Sequence, residues 1–312
     1  MENTSVVTSF ILTAYKEMED LKYFYFTVFF LLYLLTLCLN ILIIGVIYSE
    51  KSLHEPMYIF VCNLAVNEMY GSTSLIPSIL GRLISSSQEI SLGLCLAQIY
   101  CLHTYGIVEF SVLAIMSYDR YIAICHPLHY RIMMSSEKIS FLIAFSWIYP
   151  FSAFGMCFIL TAKLTFCSRY IPKVYCMNFA LVKLSCFDTS VHNIIGLITT
   201  VLFVLPPLLM VLFSYAQILR ICLLVSKESR IKALRTCTPH LLAVLNYSIG
   251  VLFEIIQNRF NMSYLPSTSR MFMSVYFLVF PPLLNPAIYG LSVQSVAQDN
   301  VTGVKKSQLD GG

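Results

Sequence analysis

The stretch MSYDRYIAICHPLHY, residues 116–130, sets an acid, Asp119, beside a base, Arg120, at the end of a long apolar run that begins near Cys95. A bilayer-spanning helix needs roughly 20 apolar residues. A cation at the end of such a helix can snorkel to the headgroups, and an adjacent acid can neutralise it. The pair therefore reads as the border of a membrane span. The whole chain agrees: 58% of its 312 residues are hydrophobic and only 12% charged, with a mean hydropathy of +0.76, too apolar for a water-soluble domain of this length.

Working outward, seven candidate spans appear, at residues 23–48, 57–81, 95–125, 139–162, 192–225, 237–257 and 271–291. The second is the weakest, because NLAVNEMYGSTS carries Asn63, Asn67 and Glu68 and must face other helices instead of lipid. Long apolar runs without a period of two imply helices whose backbone groups pair internally, not a barrel. The expected fold is an all-α membrane protein, a seven-transmembrane helix bundle. It divides into an amino-terminal segment 1–22, a seven-helix domain 23–291 and a tail 292–312. Residues 1–22 contain six charged residues and no apolar core ending in small residues, so no cleavable signal is expected. The net charge of +4 is small and its basic residues lie in loops, so no nucleic-acid partner is expected.

The total of basic residues barely distinguishes the two orientations, but five of them crowd into residues 220–235, which favours an inner location for that segment. Of eleven cysteines, Cys95 opens the third span, while Cys167, Cys176 and Cys186 fall between the fourth and fifth, on the same membrane face. Disulfides need an oxidising compartment, so this face reads as extracellular and carries the amino terminus. Spacing alone leaves the pairing open. Asn3, in Asn-Thr-Ser, is a glycosylation acceptor on that side, and so short a motif is common by chance.

The motifs resemble those of rhodopsin-like G protein-coupled receptors, and in detail those of the odorant receptors. MSYDRYIAICHPLHY is similar to the signature at the inner end of helix three, and LHEPMYIFVCNLAVNE to a helix-two segment ending in an acid, here Glu68. Asn40, Trp147 and Pro207 with Tyr215 match helices one, four and five; KALRTCTPHL opens helix six and PPLLNPAIYGL closes helix seven. The resemblance spans about residues 40–291.

It implies a receptor of the plasma membrane that binds a small odorant and activates a heterotrimeric stimulatory G protein to raise cyclic AMP. Asp119, Arg120, Tyr121, Tyr215, Asn285, Pro286 and Tyr289 would form the switch that opens when helix six swings outward. It also implies a Cys95–Cys176 bridge, with Cys167–Cys186 as a second. Glu68 and Glu109 occupy positions of the family's ion pocket, so they would hold sodium or share a proton; a protonated carboxyl bonded to Asn40 or Asn285 is the bland alternative. The ligand site implied is His103, Gly106, Ile107 and Phe110 on helix three, Thr199, Thr200 and Phe203 on helix five, and Ser248, Val251, Ile255 and Arg259 on helix six. Arg259 resembles a helix-six arginine of the fish-like branch, and with His103 it could receive a carboxylate. The plainer alternative is that Arg259 reaches the headgroups and His103 packs.

Leu102 replaces the aspartate of amine-binding relatives, which argues against an ammonium ligand. YSI at residues 247–249 departs from the family's Phe-Tyr-Gly, and the tail lacks basic residues before Lys305. Helix seven offers no lysine for a retinal Schiff base. The other class to weigh, a transporter or channel, would show internal repeats, and none is visible. No His-Glu-x-x-His, Cys-x-x-Cys or Gly-x-Ser-x-Gly motif points to an enzyme.

Overall fold

The computed structural model describes residues 7–85, 87–260, 262 and 264–310, with the side chains of 232, 258, 259, 267 and 292–310 excepted. Seven long helices follow one another: α1 (Lys22–Ser49), α2 (Pro56–Ile84), α3 (Leu92–Cys125), α4 (Ser136–Ala162), α5 (Ser190–Leu224), α6 (Lys227–Arg259) and α7 (Ser267–Asp310). Local chemistry sets their starts. Pro56 occupies the first turn of α2, where no helical N–H is lost. Ser91, Ser135 and Ser226 cap α3, α4 and α6 by accepting from the N–H of Leu94, Lys138 and Ser229.

Helix α3 runs through the middle of the bundle, packing on α2, α4, α5 and α6. Its buried face is nearly continuous from Cys95 to Ile122. By contrast α1, α4 and α5 expose rows of large apolar side chains, such as Leu31, Leu35 and Leu42, Phe141 and Ile148, and Leu197, Val201 and Leu205. Patches of that size belong against lipid. Among the described residues six helical stretches are long and apolar enough to cross a membrane, and α2 is not one of them. Its Asn63, Asn67, Glu68 and Ser72 are buried against other helices. Asn63, for example, accepts from the Trp147 indole at 2.7 Å, tying α2 to α4.

The prolines of α7 explain two bonds between helices. Pro286 has no N–H for the carbonyl four residues back, Pro282 O, and the Asn40 amide of α1 donates to that oxygen at 2.9 Å. Pro281 likewise frees Phe277 O, which accepts from the Tyr105 hydroxyl at 3.2 Å. The acceptors that the prolines leave free are thus taken up by α1 and α3.

Two features differ from the sequence expectation. The segment 220–235 is not a loop: α5 runs to Leu224 and α6 begins at Lys227. KESRIKALRT contains good helix formers but is polar on all sides, so hydropathy finds only the membrane-buried part of α6. Arg230 then closes the joint by donating from Nε to Cys222 O at 2.7 Å, which serves the last carbonyls of α5. The second difference lies before α1, where β1 (Ser9–Leu12) pairs antiparallel with β2 (Glu89–Ser91) and parallel with β3 (Tyr170–Ile171). Phe10 and Leu12, alternate residues of β1, are fully buried beneath this small sheet. Arg169 binds the Glu89 carboxylate at 2.6 Å beside it. Both side chains are about half exposed, so the pair adds little.

Candidate functional site

The disulfide-bearing end of the bundle holds a cavity of about 420 Å³. Cys95 at the start of α3 is bonded to Cys176, with Cα atoms 5.3 Å apart, and Cys167 to Cys186 at 5.0 Å. The first bridge, with the Gln98 side chain accepting from the Cys176 N–H at 2.8 Å, pulls the loop between α4 and α5 down over the helices. The loop thereby becomes a roof, with Tyr175, Cys176, Met177 and Phe179 facing the cavity.

Of the residues singled out in the sequence, His103, Gly106, Ile107, Phe110, Thr199, Thr200, Phe203, Val251 and Ile255 all line this space. Ser248 does not. It lies on the same face of α6 as Val251 and Ile255, which do, and its hydroxyl is buried without a hydrogen-bond partner among the described residues. Arg259 ends α6, but its side chain, like Asn3, lies outside what the structure describes. The structure adds members that helix-face reasoning overlooked: Phe154 and Phe158 of α4, the roof itself, and Glu254. No pattern within a loop announces a roof; the cysteines were the available signal.

The chemistry of the cavity is mostly apolar. The His103 ring stacks on Phe154 with centroids 4.7 Å apart, and its Nδ1 sits 2.8 Å from Ile99 O. A carbonyl can only accept, so Nδ1 carries the proton and the neutral ring keeps Nε2 as an acceptor. Tyr247 forms the floor, donating to Gly106 O at 2.9 Å and meeting Phe110 edge-on at 4.9 Å. A Cβ at position 106 would stand 3.0 Å from that hydroxyl, so glycine lets α6 approach α3. Glu254 is the one charged residue lining the cavity among the described residues. Its carboxylate lies 3.4 Å from Lys173 and 3.4 Å from the Tyr175 hydroxyl. Asp188, just before α5, is exposed and accepts from the Ser190 hydroxyl at 2.7 Å.

Below the floor lies a buried polar layer. Glu68 and Glu109 are 1% and 0% exposed. Asn285 bridges them, its amide donating to Glu68 at 2.6 Å and to Glu109 at 3.2 Å, while Asn67 donates to Glu109 at 2.8 Å. Both acids sit near helix centres with no ion-pair partner among the described residues, so two free charges there would be very costly. The carbonyl oxygens of Asn40, Asn67 and Asn285 and the Ser72 hydroxyl have no hydrogen-bond partner among the described residues.

At the far end, Arg120 donates to Asp119 through two nitrogens at 2.8 and 3.2 Å. Asp119 is fully buried and also accepts from the Tyr130 hydroxyl at 2.7 Å. Tyr121 meets His126 at 3.1 Å. His240 joins three helices: its Nε2 must donate to Leu113 O of α3 at 2.9 Å, so its Nδ1 accepts from the Tyr215 hydroxyl of α5 at 2.7 Å. Tyr289 is buried with its hydroxyl unpaired. Pro286, beside Asn285, supplies the bend described above.

Residues 29–305 match the family model described as olfactory receptor. Human olfactory receptor 52K2 is 33% identical over 306 residues, 95% of each chain. Human olfactory receptor 1N2 is 36% identical over 299 residues, 93% of this chain and 91% of that one. Among solved structures, squid rhodopsin matches with a TM-score of 0.68 at 17% identity, covering 87% of this chain and 77% of that one, a likeness of fold.

Proposed function

The chain belongs to the olfactory receptor family, a group of multi-pass, rhodopsin-like signalling receptors and not enzymes, and from that premise we propose that it senses a small, neutral odorant and activates a stimulatory G protein of the olfactory type, raising cyclic AMP. The proposed setting is the plasma membrane with the amino terminus outside. The observation that carries the ligand reading is the roofed cavity, whose size suits a small molecule. Its described lining has no cation, and His103 offers an acceptor at one wall. An alcohol fits that wall better than a carboxylate, which would face Glu254 unpaired.

Dose–response curves for an alcohol and the carboxylic acid of the same chain, read as cyclic AMP, test this. The alcohol is expected to be at least about tenfold more potent, one hydrogen bond to a buried partner being worth about that much. Val251→Phe, which fills the cavity, is expected to silence both at unchanged surface expression. An acid as potent as the alcohol, or a full response in the filled variant, would contradict the site.

The reading of the switch is that occupancy at Tyr247 shifts α6, parts the His240 bonds to α3 and α5, and releases Arg120 toward the G protein. Tyr121, Tyr215, Asn285, Pro286 and Tyr289 line the path of that rearrangement. We assign sodium as the guest of the Glu68 and Glu109 layer, where the unpartnered oxygens of Asn40, Asn67, Asn285 and Ser72 supply further ligands. Its charge would balance one carboxylate. Purified receptor is expected to unfold at a higher temperature in sodium chloride than in choline chloride, and Glu109→Gln is expected to erase the difference. Equal midpoints in the two salts would assign the layer to a shared proton.

A further inference from the structure

A second cavity, of about 540 Å³, opens between the amino-terminal segment, the roof loop and the start of α7. It is separate from the odorant cavity and of opposite chemistry. Among the described residues its lining includes Lys173, Lys183 and Arg270 against the single acid Glu17. Arg270 has its Nε buried without a hydrogen-bond partner, and neither Arg270 nor Lys183 forms an ion pair among the described residues. A guanidinium nitrogen shut away from water and left unpaired is costly, and an anion is the group that would satisfy it. Thr268, in the first turn of α7, lies on the same wall, where unpaired helical N–H groups and the helix dipole also favour negative charge.

The partition between the two cavities is a hydrogen-bonded cluster. Lys173 Nζ lies 2.9 Å from Gln257 Oε1, 3.0 Å from Ser274 Oγ and 3.4 Å from Glu254. Lys173 belongs to the outer cavity and Glu254 to the inner one. Lys173 is thereby largely neutralised; Lys183 Nζ rests 4.3 Å from the centre of the Phe179 ring, and among the described residues Arg270 and Lys183 are the cations of this cavity without an ion-pair partner.

We propose that this outer vestibule is a second ligand site, taking a small carboxylate held by Arg270 and Lys183, while the inner cavity keeps the neutral ligand. Glutarate is the probe, titrated by saturation-transfer NMR against the purified full chain in phosphatidylcholine nanodiscs, with its uncharged diamide as control. Saturable glutarate binding is expected, with none from the diamide. Arg270→Gln and Lys183→Gln are each expected to weaken it at least about tenfold, and Glu17→Gln to tighten it by removing the opposing charge. Lys183 and Glu17 are exposed, so their variants decide the matter even if the arginine variant does not fold. Val251→Phe is expected to leave glutarate binding unchanged. Binding of the diamide as strong as that of glutarate, indifference to the Lys183 and Glu17 changes, or loss of glutarate binding in Val251→Phe would overturn the vestibule site. None of these results depends on whether the inner cavity signals.

Discussion

Arg120→Ala is expected to abolish agonist-driven cyclic AMP completely while leaving surface receptor and ligand binding near normal. Arg120 stands at the end of the bundle opposite the roofed cavity, so its loss removes no contact with a ligand held there. Its two bonds to Asp119 are local, between neighbouring residues of one helix, and Asp119 keeps the Tyr130 hydroxyl as a partner. The substitution leaves a buried acid less well paired, a cost of up to about 3–5 kcal/mol for removing one partner of a buried ion pair, which the remaining Tyr130 hydrogen bond offsets in part. Surface staining, ligand-binding and cyclic-AMP assays on one set of cells check this. A wild-type response from the variant would remove Arg120 from the switch.

Cys95→Ser is expected to have the second large effect, a severe loss of surface receptor and of response. The bridge to Cys176 closes 81 residues of chain and anchors the roof, whereas Cys167–Cys186 closes only 19. Bridges of this kind commonly contribute about 2–4 kcal/mol, and in the chain-entropy account the longer loop adds about 1 kcal/mol over the shorter. The Cys167→Ser variant is accordingly expected to be milder. Pairing Cys95→Ser with Cys176→Ser should be no worse than either alone. Surface labelling together with non-reducing peptide mapping checks both points, and normal surface levels with unchanged potency for Cys95→Ser would refute the anchoring role.

The parts of this molecule that could be read from the sequence are those with a repeating or local physical signature. Apolar runs of bilayer length give the helices, and the helix-three positions 103, 106, 107 and 110 share one face by periodicity alone. Charges placed in oil, Glu68, Glu109 and Arg120, stand out because they are costly there. What escaped was set by tertiary placement. The four residues of β1 are too short to signal a strand, and their alternation matters only because β2 and β3 meet them. Tyr105 looks like any core aromatic until its hydroxyl is seen at the carbonyl freed by Pro281. The start of α6 is polar on every side, which hydropathy reads as loop. Ser248 was assigned to the cavity because it shares a face of α6 with Val251 and Ile255, and periodicity does not say how far along the helix the cavity reaches.

Filling the roofed cavity at one end of the bundle is proposed to activate a stimulatory G protein at the other. The most direct test is agonist-stimulated nucleotide exchange on a purified olfactory-type stimulatory G protein, using membranes that carry wild-type receptor or the Val251→Phe variant at equal surface density. The expected result is exchange that rises with the neutral agonist in wild type and stays at its basal rate in the filled variant. Exchange that ignores the agonist in wild type, or that persists undiminished when the cavity is filled, would contradict it.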